Sequence, residues 1–558
     1  MGKKELTLEI LLPDGTKEKL QAEAGTTLLK LAGNCQDKFP HRILGAVVNN
    51  SLCDLNTTVE ADGTVEFITM KSSDGYMFYL RSIFFVLFKA AAEIVPNTIL
   101  RVEYSLGNGY FCWFDGLEWL DADEVYRIAR RMEEIISYDL PFVRQKIDTD
   151  EAVELFRKND LFDKVSLFKN RTQKQTNVYS LGNTVDYFFG YLVPSTSYCD
   201  KFRLQPYRNG MILIVPQPSN PDLVPQFHDS PKYFNIIQEH DTWLKVLEMS
   251  TCAQLNDLIR NGKSKAMIML CEALHSKKLA KIADDIYRRH KIVKIVSIAG
   301  PSSSGKTTTA NRLCIQLRVN GLKPYLISLD DYFIDRDKTP LDADGKHDFE
   351  SLQAIDIDLF NQNLNDLMAG HEVILPRYDF KQGLSIRNGR KLILPENGVL
   401  VIEGIHGLNP NLYCNVPNYN IYRIYVSALT ALNIDNHNRV PTTDGRLIRR
   451  MVRDYQYRGH DPLETLRRWP SVRRGENTNI FPYQENADVM FNSTLVYEFS
   501  VMKKYVVPLL NKVSESEPEY REVKRILKLL SFFEEIDEST VPPNSILREF
   551  IGGSVFYE

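Results

Sequence analysis

The chain has 558 residues, 43% of them apolar and 25% charged, with a formal net charge of −4. That length predicts three to five domains, and the near-neutral charge gives no bulk electrostatic case for nucleic acid or a membrane surface. The eight scattered cysteines form no CxxC pair and no zinc spacing, so they read as reduced core residues. Met1-Gly-Lys-Lys-Glu5 opens no apolar h-region, and the most apolar run, Ile83 to Phe88, is far too short to span a bilayer. A soluble, cytoplasmic protein without a membrane partner is expected.

Residues 5–70 alternate in a strand-like way. Leu6 to Leu12 is followed by the turn Pro13-Asp-Gly15, a second alternating run, a short helix over Thr27 to Ala32, and strands at Ile43–Val48 and Val65–Met70. This order predicts a ubiquitin-like roll over residues 1–70. Leu-Pro-Asp-Gly and Gly-Thr-Thr-Leu within it resemble the TGS domain found at the N-terminus of threonyl-tRNA synthetases. A docking or binding module with no catalytic constellation is the expectation.

Residues 71–215 resemble the domain that follows TGS in those synthetases. The matching stretches are Gly109-Tyr-Phe-Cys-Trp-Phe-Asp115, the helical run Asp121 to Ile136, Glu151 to Phe156, and Val185 to Thr196. In that family the domain edits mischarged tRNA with an HxxxH and a CxxxH pair. Here Tyr79-Leu-Arg-Ser-Ile-Phe-Phe85 has no histidine, and Phe188-Phe-Gly-Tyr-Leu192 puts Phe and Leu where Cys and His belong. A pocket that needs ionisable or metal-liganding groups cannot run on those side chains. The expectation is lost editing chemistry in a fold kept as a scaffold or as a unit that binds RNA or a small molecule.

Residues 216–289 read as a linker and helical connector. Five prolines lie between Pro216 and Pro231, and apolar residues then recur at helical spacing.

The strongest signal is Gly300-Pro-Ser-Ser-Ser-Gly-Lys-Thr-Thr308, which satisfies G-x-x-x-x-G-K-[ST] between an apolar strand (Ile292 to Ala299) and a predicted helix (Thr308 to Val319, with Gly321 as C-cap). Glycines let backbone N–H groups curl around phosphates, and Gly300, Pro301, Ser302, Ser303, Ser304, Gly305, Lys306, Thr307 and Thr308 form the predicted nucleotide cradle. Lys306 would reach the β/γ-phosphates and Thr307 would hold Mg²⁺. Tyr325–Leu329 reads as the next strand, ending in Asp330-Asp-Tyr-Phe333. Asp330 can orient and deprotonate a hydroxyl, bind Mg²⁺ through water, or merely cap a turn. Glu403, after the apolar strand Gly398–Ile402, fits the second acidic group near Mg²⁺, while His406 reads as a packed histidine. Arg446, Arg449, Arg450 and Arg453 share one helical face. That face suits a phosphate-contacting lid more than an RNA stripe, a solvated surface helix being the bland alternative.

These residues, from about Ile292 to Asn492, resemble the uridine kinase and phosphoribulokinase family. The resemblance implies the catalytic-base role for Asp330 and Mg²⁺ contact for Glu403. It puts Tyr332, Glu350, Tyr378 and Phe380 around the acceptor and Arg446 and Arg449 on the phosphates. Glu350 replaces an Asp that holds ribose hydroxyls. A histidine that would read the pyrimidine is replaced by Gly383, a change able to shift base preference by about one or two orders of magnitude. Over residues 290–495 the expectation is therefore a P-loop kinase. It would use ATP and Mg²⁺ to phosphorylate the 5′-hydroxyl of a nucleoside, uridine or cytidine. The alternatives are a kinase of another hydroxylated metabolite or an RNA-associated regulatory NTPase. Residues 496–558 read as helices that pack on the kinase or mediate homo-oligomer formation. The fold class expected is multidomain α/β and α+β.

Overall fold

The computed structural model describes residues 4–169, 171, 173–342, 345–430 and 432–556, so the first three residues of the N-terminal reading lie outside it. Its centre is a five-stranded parallel sheet in the order 323–328, 398–403, 295–299, 421–427 and 489–492. Ile295–Ala299 and Gly398–Glu403 are buried at every position, as strands covered by helices on both faces must be. The first of them starts three residues later than the apolar run suggests, because Ile292 and Val293 donate their N–H groups to Arg289 O and close a turn after the preceding helix. The loop helix runs Lys306–Val319 and ends at Gly321 in a left-handed conformation (φ +87°). This topology delivers the loop, Ser328 to Asp330 and Glu403 to the carboxyl ends of three neighbouring strands, where an open parallel sheet binds ligands.

Residues 5–69 form a five-stranded sheet in the order 17–23, 5–11, 63–69, 43–48 and 51–53, crossed by the helix Leu28–Cys35. A long helix, Ser73–Ile94, then packs with Ala122–Ser137 on an antiparallel sheet of strands 203–207, 210–214, 109–115 and 99–106. Asp121 and Glu124 close a capping box at the start of the second helix. Where a synthetase-like pocket would open, rings fill the space: Phe85 lies 5.0 Å from Phe188 and 5.8 Å from Phe142 between centroids, and His437 stacks on Phe88 at 3.7 Å. His437 belongs to the parallel-sheet half of the chain, so the two halves meet here. Beside it the fully buried Lys164 ammonium pairs with Asp186 (3.0 Å) and Asp435 (3.6 Å) across the same junction.

Residues 216–230 form no helix or strand, and the helices Pro231–Val246, Cys252–Arg260 and Ser264–Arg288 follow. Two histidines here face each other's helices in the core. Burial pushes His240 down to about 3 and His275 well below its ordinary value, so both are neutral in the folded chain. In the unfolded chain they take up protons near their usual pKa of about 6.5, so they leave stability intact above that pH and erode it as pH falls. The melting temperature should therefore drop between pH 6.5 and 4, and His275→Leu should make that drop shallower; equal slopes would contradict the assignment.

The helices Glu498–Leu510 and Tyr520–Leu530 and a final short helix, Arg548–Ile551, lie against the parallel-sheet domain. One apolar cluster joins residues from Ala152 in the synthetase-like region, the connector, the central sheet and this C-terminal segment as far as Ile551.

Candidate active site

The loop is tight for a stated reason. A Cβ at Gly300 would fall 1.9 Å from Val426 O, and Gly305 needs φ +81°, a region that side chains disfavour. Lys306 Nζ donates to Gly300 O (3.0 Å) and Pro301 O (3.2 Å), which folds it back across the loop. Thr307 Oγ1 donates to Glu403 Oε1 at 3.4 Å and Ser328 Oγ donates to the same oxygen at 3.0 Å. Burial first, and the nearby Asp330 second, push the Glu403 carboxyl up to about 7; Lys306 opposes them. Asp330 sits half-buried in the tight turn Leu329–Tyr332, its N–H donating to Ser328 Oγ at 3.3 Å. Thr307, Glu403 and Asp330 thus offer hard oxygen atoms at the loop mouth, a set that fits a Mg²⁺ carried in with phosphates. Among the described residues no three His, Cys, Asp or Glu side chains are grouped to hold a metal by themselves.

Beside Asp330 lies an aromatic platform. Phe333 contacts Tyr378 (5.5 Å) and Phe380 (6.4 Å), which meet each other at 5.1 Å, and Phe380 is 55% exposed. Glu350 lies against Gly475, where a Cβ would fall 2.4 Å from its own Cβ; one of its carboxylate oxygens is buried without a hydrogen-bond partner. Burial and then Glu476 push Glu350 up to about 7. Tyr332 does not join this group. It is 2% exposed, packs edge-on against Phe360 at 5.2 Å, and its hydroxyl accepts from Asn363 Nδ2 at 3.2 Å in the core behind the strands. Gly383 has φ +73°, and a Cβ there would meet Arg336 Nε at 2.7 Å; Arg336 in turn donates to Phe380 O at 2.6 Å. The place of the missing histidine is thus held by an arginine from another loop. His406 is fully buried and is pushed down to about 4 by burial, which a backbone hydrogen bond with Ser351 opposes, a packed neutral ring.

The arginine face belongs to a helix, Thr442–Arg453, that is buried rather than laid open as a flap. Arg446 is 1% exposed and forms a two-pronged pair with Glu476, and one prong also donates to Ser302 O at 3.2 Å. Arg449 is 0% exposed, pairs with Glu498 and donates to Ser493 O at 3.0 Å. Arg450 donates to Ser302 Oγ at 2.8 Å. Arg453 turns away and pairs with Asp454 at 2.9 Å. Three of the four arginines therefore reach the loop region, held by carboxylates that sequence reasoning passed over. Glu476 had one available signal, its place among Arg473, Arg474 and Gly475; Glu498, on an otherwise apolar helix, had none.

Residues 295–499 match the family model described as Phosphoribulokinase / Uridine kinase family. This segment is a phosphoribulokinase/uridine kinase family domain. The N-terminal half is similar to threonine–tRNA ligases. Those of Streptococcus pyogenes serotype M5 (strain Manfredo) and serotype M49 (strain NZ131) are each 29% identical over 198 residues, which is 35% of this chain and 30% of the relative. The chain thus spans less than a third of the length of the curated relatives it matches. Among solved structures, one described as a possible uridine kinase from Bacillus stearothermophilus is 21% identical over 38% of this chain and 100% of its own (TM-score 0.26). D-glycerate 3-kinase from Cryptococcus neoformans var. grubii is 15% identical over 48% of this chain and 89% of its own (TM-score 0.22). Within the kinase-family domain, the loop, Asp330, Glu403, Glu350 and the aromatic platform converge, while Tyr332 faces the core.

Proposed function

We propose that this protein is an ATP- and Mg²⁺-dependent kinase that phosphorylates the 5′-hydroxyl of a nucleoside, uridine or cytidine. The observation that carries the reading is the meeting of Lys306, Thr307, Glu403 and Asp330 at adjacent strand ends beside the Phe333–Tyr378–Phe380 platform. An exposed ring such as Phe380 suits a planar base, which a sugar phosphate lacks. Lys306 and the loop amides oppose the charge on the transferring phosphoryl group. Mg²⁺, when bound by Thr307 and Glu403, offsets the negative charge of the phosphates. Asp330 orients the acceptor hydroxyl and accepts its proton, and the Glu350 carboxylate holds ribose hydroxyls. The test is ATP consumption against a panel of nucleosides and sugar phosphates, with and without Mg²⁺. Mg²⁺-dependent turnover with uridine or cytidine is expected; turnover with sugar phosphates alone would replace this reading.

Arg336 carries a second expected result. As a donor-only group beside Tyr378 it reads acceptor atoms on the base. Arg336→Ala should raise KM for the nucleoside about tenfold with kcat little changed, the pattern of lost ground-state binding. Steady-state kinetics on uridine and cytidine check this; an unchanged KM would move base reading elsewhere.

A further inference from the structure

Two of the loop's N–H groups are already engaged by carboxylates of the chain itself. Thr308, in the first turn of the loop helix, donates its N–H to Glu549 Oε2 at 3.1 Å and its hydroxyl to the same oxygen at 2.7 Å. Ser302 donates its N–H to Glu476 Oε1 at 3.1 Å. Glu476 is fixed from behind by Arg446 and by Arg473 (2.9 Å). Among the described residues Glu549 has no such clamp: it is partly exposed and belongs to the segment after the helix Tyr520–Leu530. That segment is pressed onto the loop. A Cβ at Gly305 would fall 2.5 Å from Ile546 Cγ2, and the Arg449 guanidinium lies 5.2 Å from the Phe550 ring. Ile546, Leu547 and Phe550 are all 0% exposed.

A carboxylate and a phosphate present the same charge sign and the same acceptor oxygens to a helix N-terminus. The N–H that Glu549 holds is one of those a phosphate loop turns toward a nucleotide. We propose that residues 538–556 are an autoinhibitory arm: Glu549 occupies a phosphate position at Thr308, so arm docking and nucleotide binding exclude each other. This rests on the nucleotide-binding reading of the same loop. The arm's anchorage gives it a route of control. Its leading helix reaches the N-terminal half through Arg521 to Asp74 (3.5 Å) and Lys528 over the Phe189 ring (4.8 Å). The same helix grips the start of the arginine helix through Arg525 to Asp444 (2.6 and 2.8 Å). The N-terminal half and the nucleotide loop are thus both held by this one piece of chain, which gives a ligand on the former a route to bias the arm.

The affinity of a protein whose binding-competent state is partly populated is lowered by that fraction. Titration calorimetry with ATP on the full chain, comparing wild type, Glu549→Gln and Glu549→Ala, measures the effect. Glu549→Gln keeps the shape, so it guards against misfolding. Both variants should bind ATP about tenfold tighter than wild type, and adding Lys306→Ala should abolish the gain. Hydrogen exchange of residues 541–551 in the wild type should speed up when ATP is added. Equal ATP affinity in wild type and both variants overturns the arm while leaving the nucleotide site standing. Absence of ATP binding in all of them overturns both.

Discussion

Asp330→Asn is expected to cut turnover by about 10²–10⁴-fold, the range that a positioned general base supplies. The substitution keeps the shape of the side chain and the backbone N–H bond to Ser328 Oγ, so the turn itself should persist. It removes the proton acceptor and one of the charges that push Glu403 up. ATP affinity should accordingly hold or rise while kcat falls, a split that separates the chemical role from a structural one. Steady-state turnover with the preferred nucleoside, paired with equilibrium ATP binding, makes the measurement. Near wild-type turnover would remove Asp330 from the reaction.

The largest stability effect is expected at Arg449. It and Glu498 are a pair at 0% and 1% side-chain exposure. Removing one partner leaves the other charge buried, which costs about 3–5 kcal/mol, whereas replacing both with neutral groups of similar size is far less damaging. Arg449→Met should therefore destabilise strongly in denaturant titrations, and Arg449→Met with Glu498→Gln should recover much of the loss. An exposed pair such as Lys17 with Glu9, at 61% and 42% exposure, should change stability by about 1 kcal/mol or less when broken. Additive losses in the double variant would mean that the two side chains do not act as a unit.

The sequence carried the parts of the site that are local. The phosphate loop, the strand-end carboxylates Asp330 and Glu403, and the aromatic residues Tyr378 and Phe380 each announce themselves by spacing or by the strand they follow. The expectation of lost editing chemistry rested on Phe188 and Leu192 standing where Cys and His belong; the structure shows Phe188 packed against Phe85, which in turn stacks on Phe142. Alternation could not tell which way Tyr332 points, because a tight turn after a strand has no period, and its ring went to the core. The burial of Arg446 and Arg449 was hidden for a different reason. A basic helical face looks the same whether water or carboxylates lie opposite, and here Glu476 and Glu498 come from 30 and 49 residues away. Glu549 lies 241 residues from its partner, and Arg336 reaches Phe380 across 44. Contacts of that kind are set by tertiary packing, which one sequence does not display.

The shared apolar cluster has a kinetic consequence. Because it draws on residues from Ala152 to Ile551, and because Asn50 Nδ2 donates to Ser516 O across 466 positions, much of the packing closes very large loops. Loop closure of that length must precede the contacts that reward it, so folding should be slow, with partly assembled species that expose apolar surface. Unfolding should in turn be seen as one broad cooperative event joining the connector, central sheet and C-terminal helices, and a chain cut at residue 290 should aggregate instead of yielding two working halves.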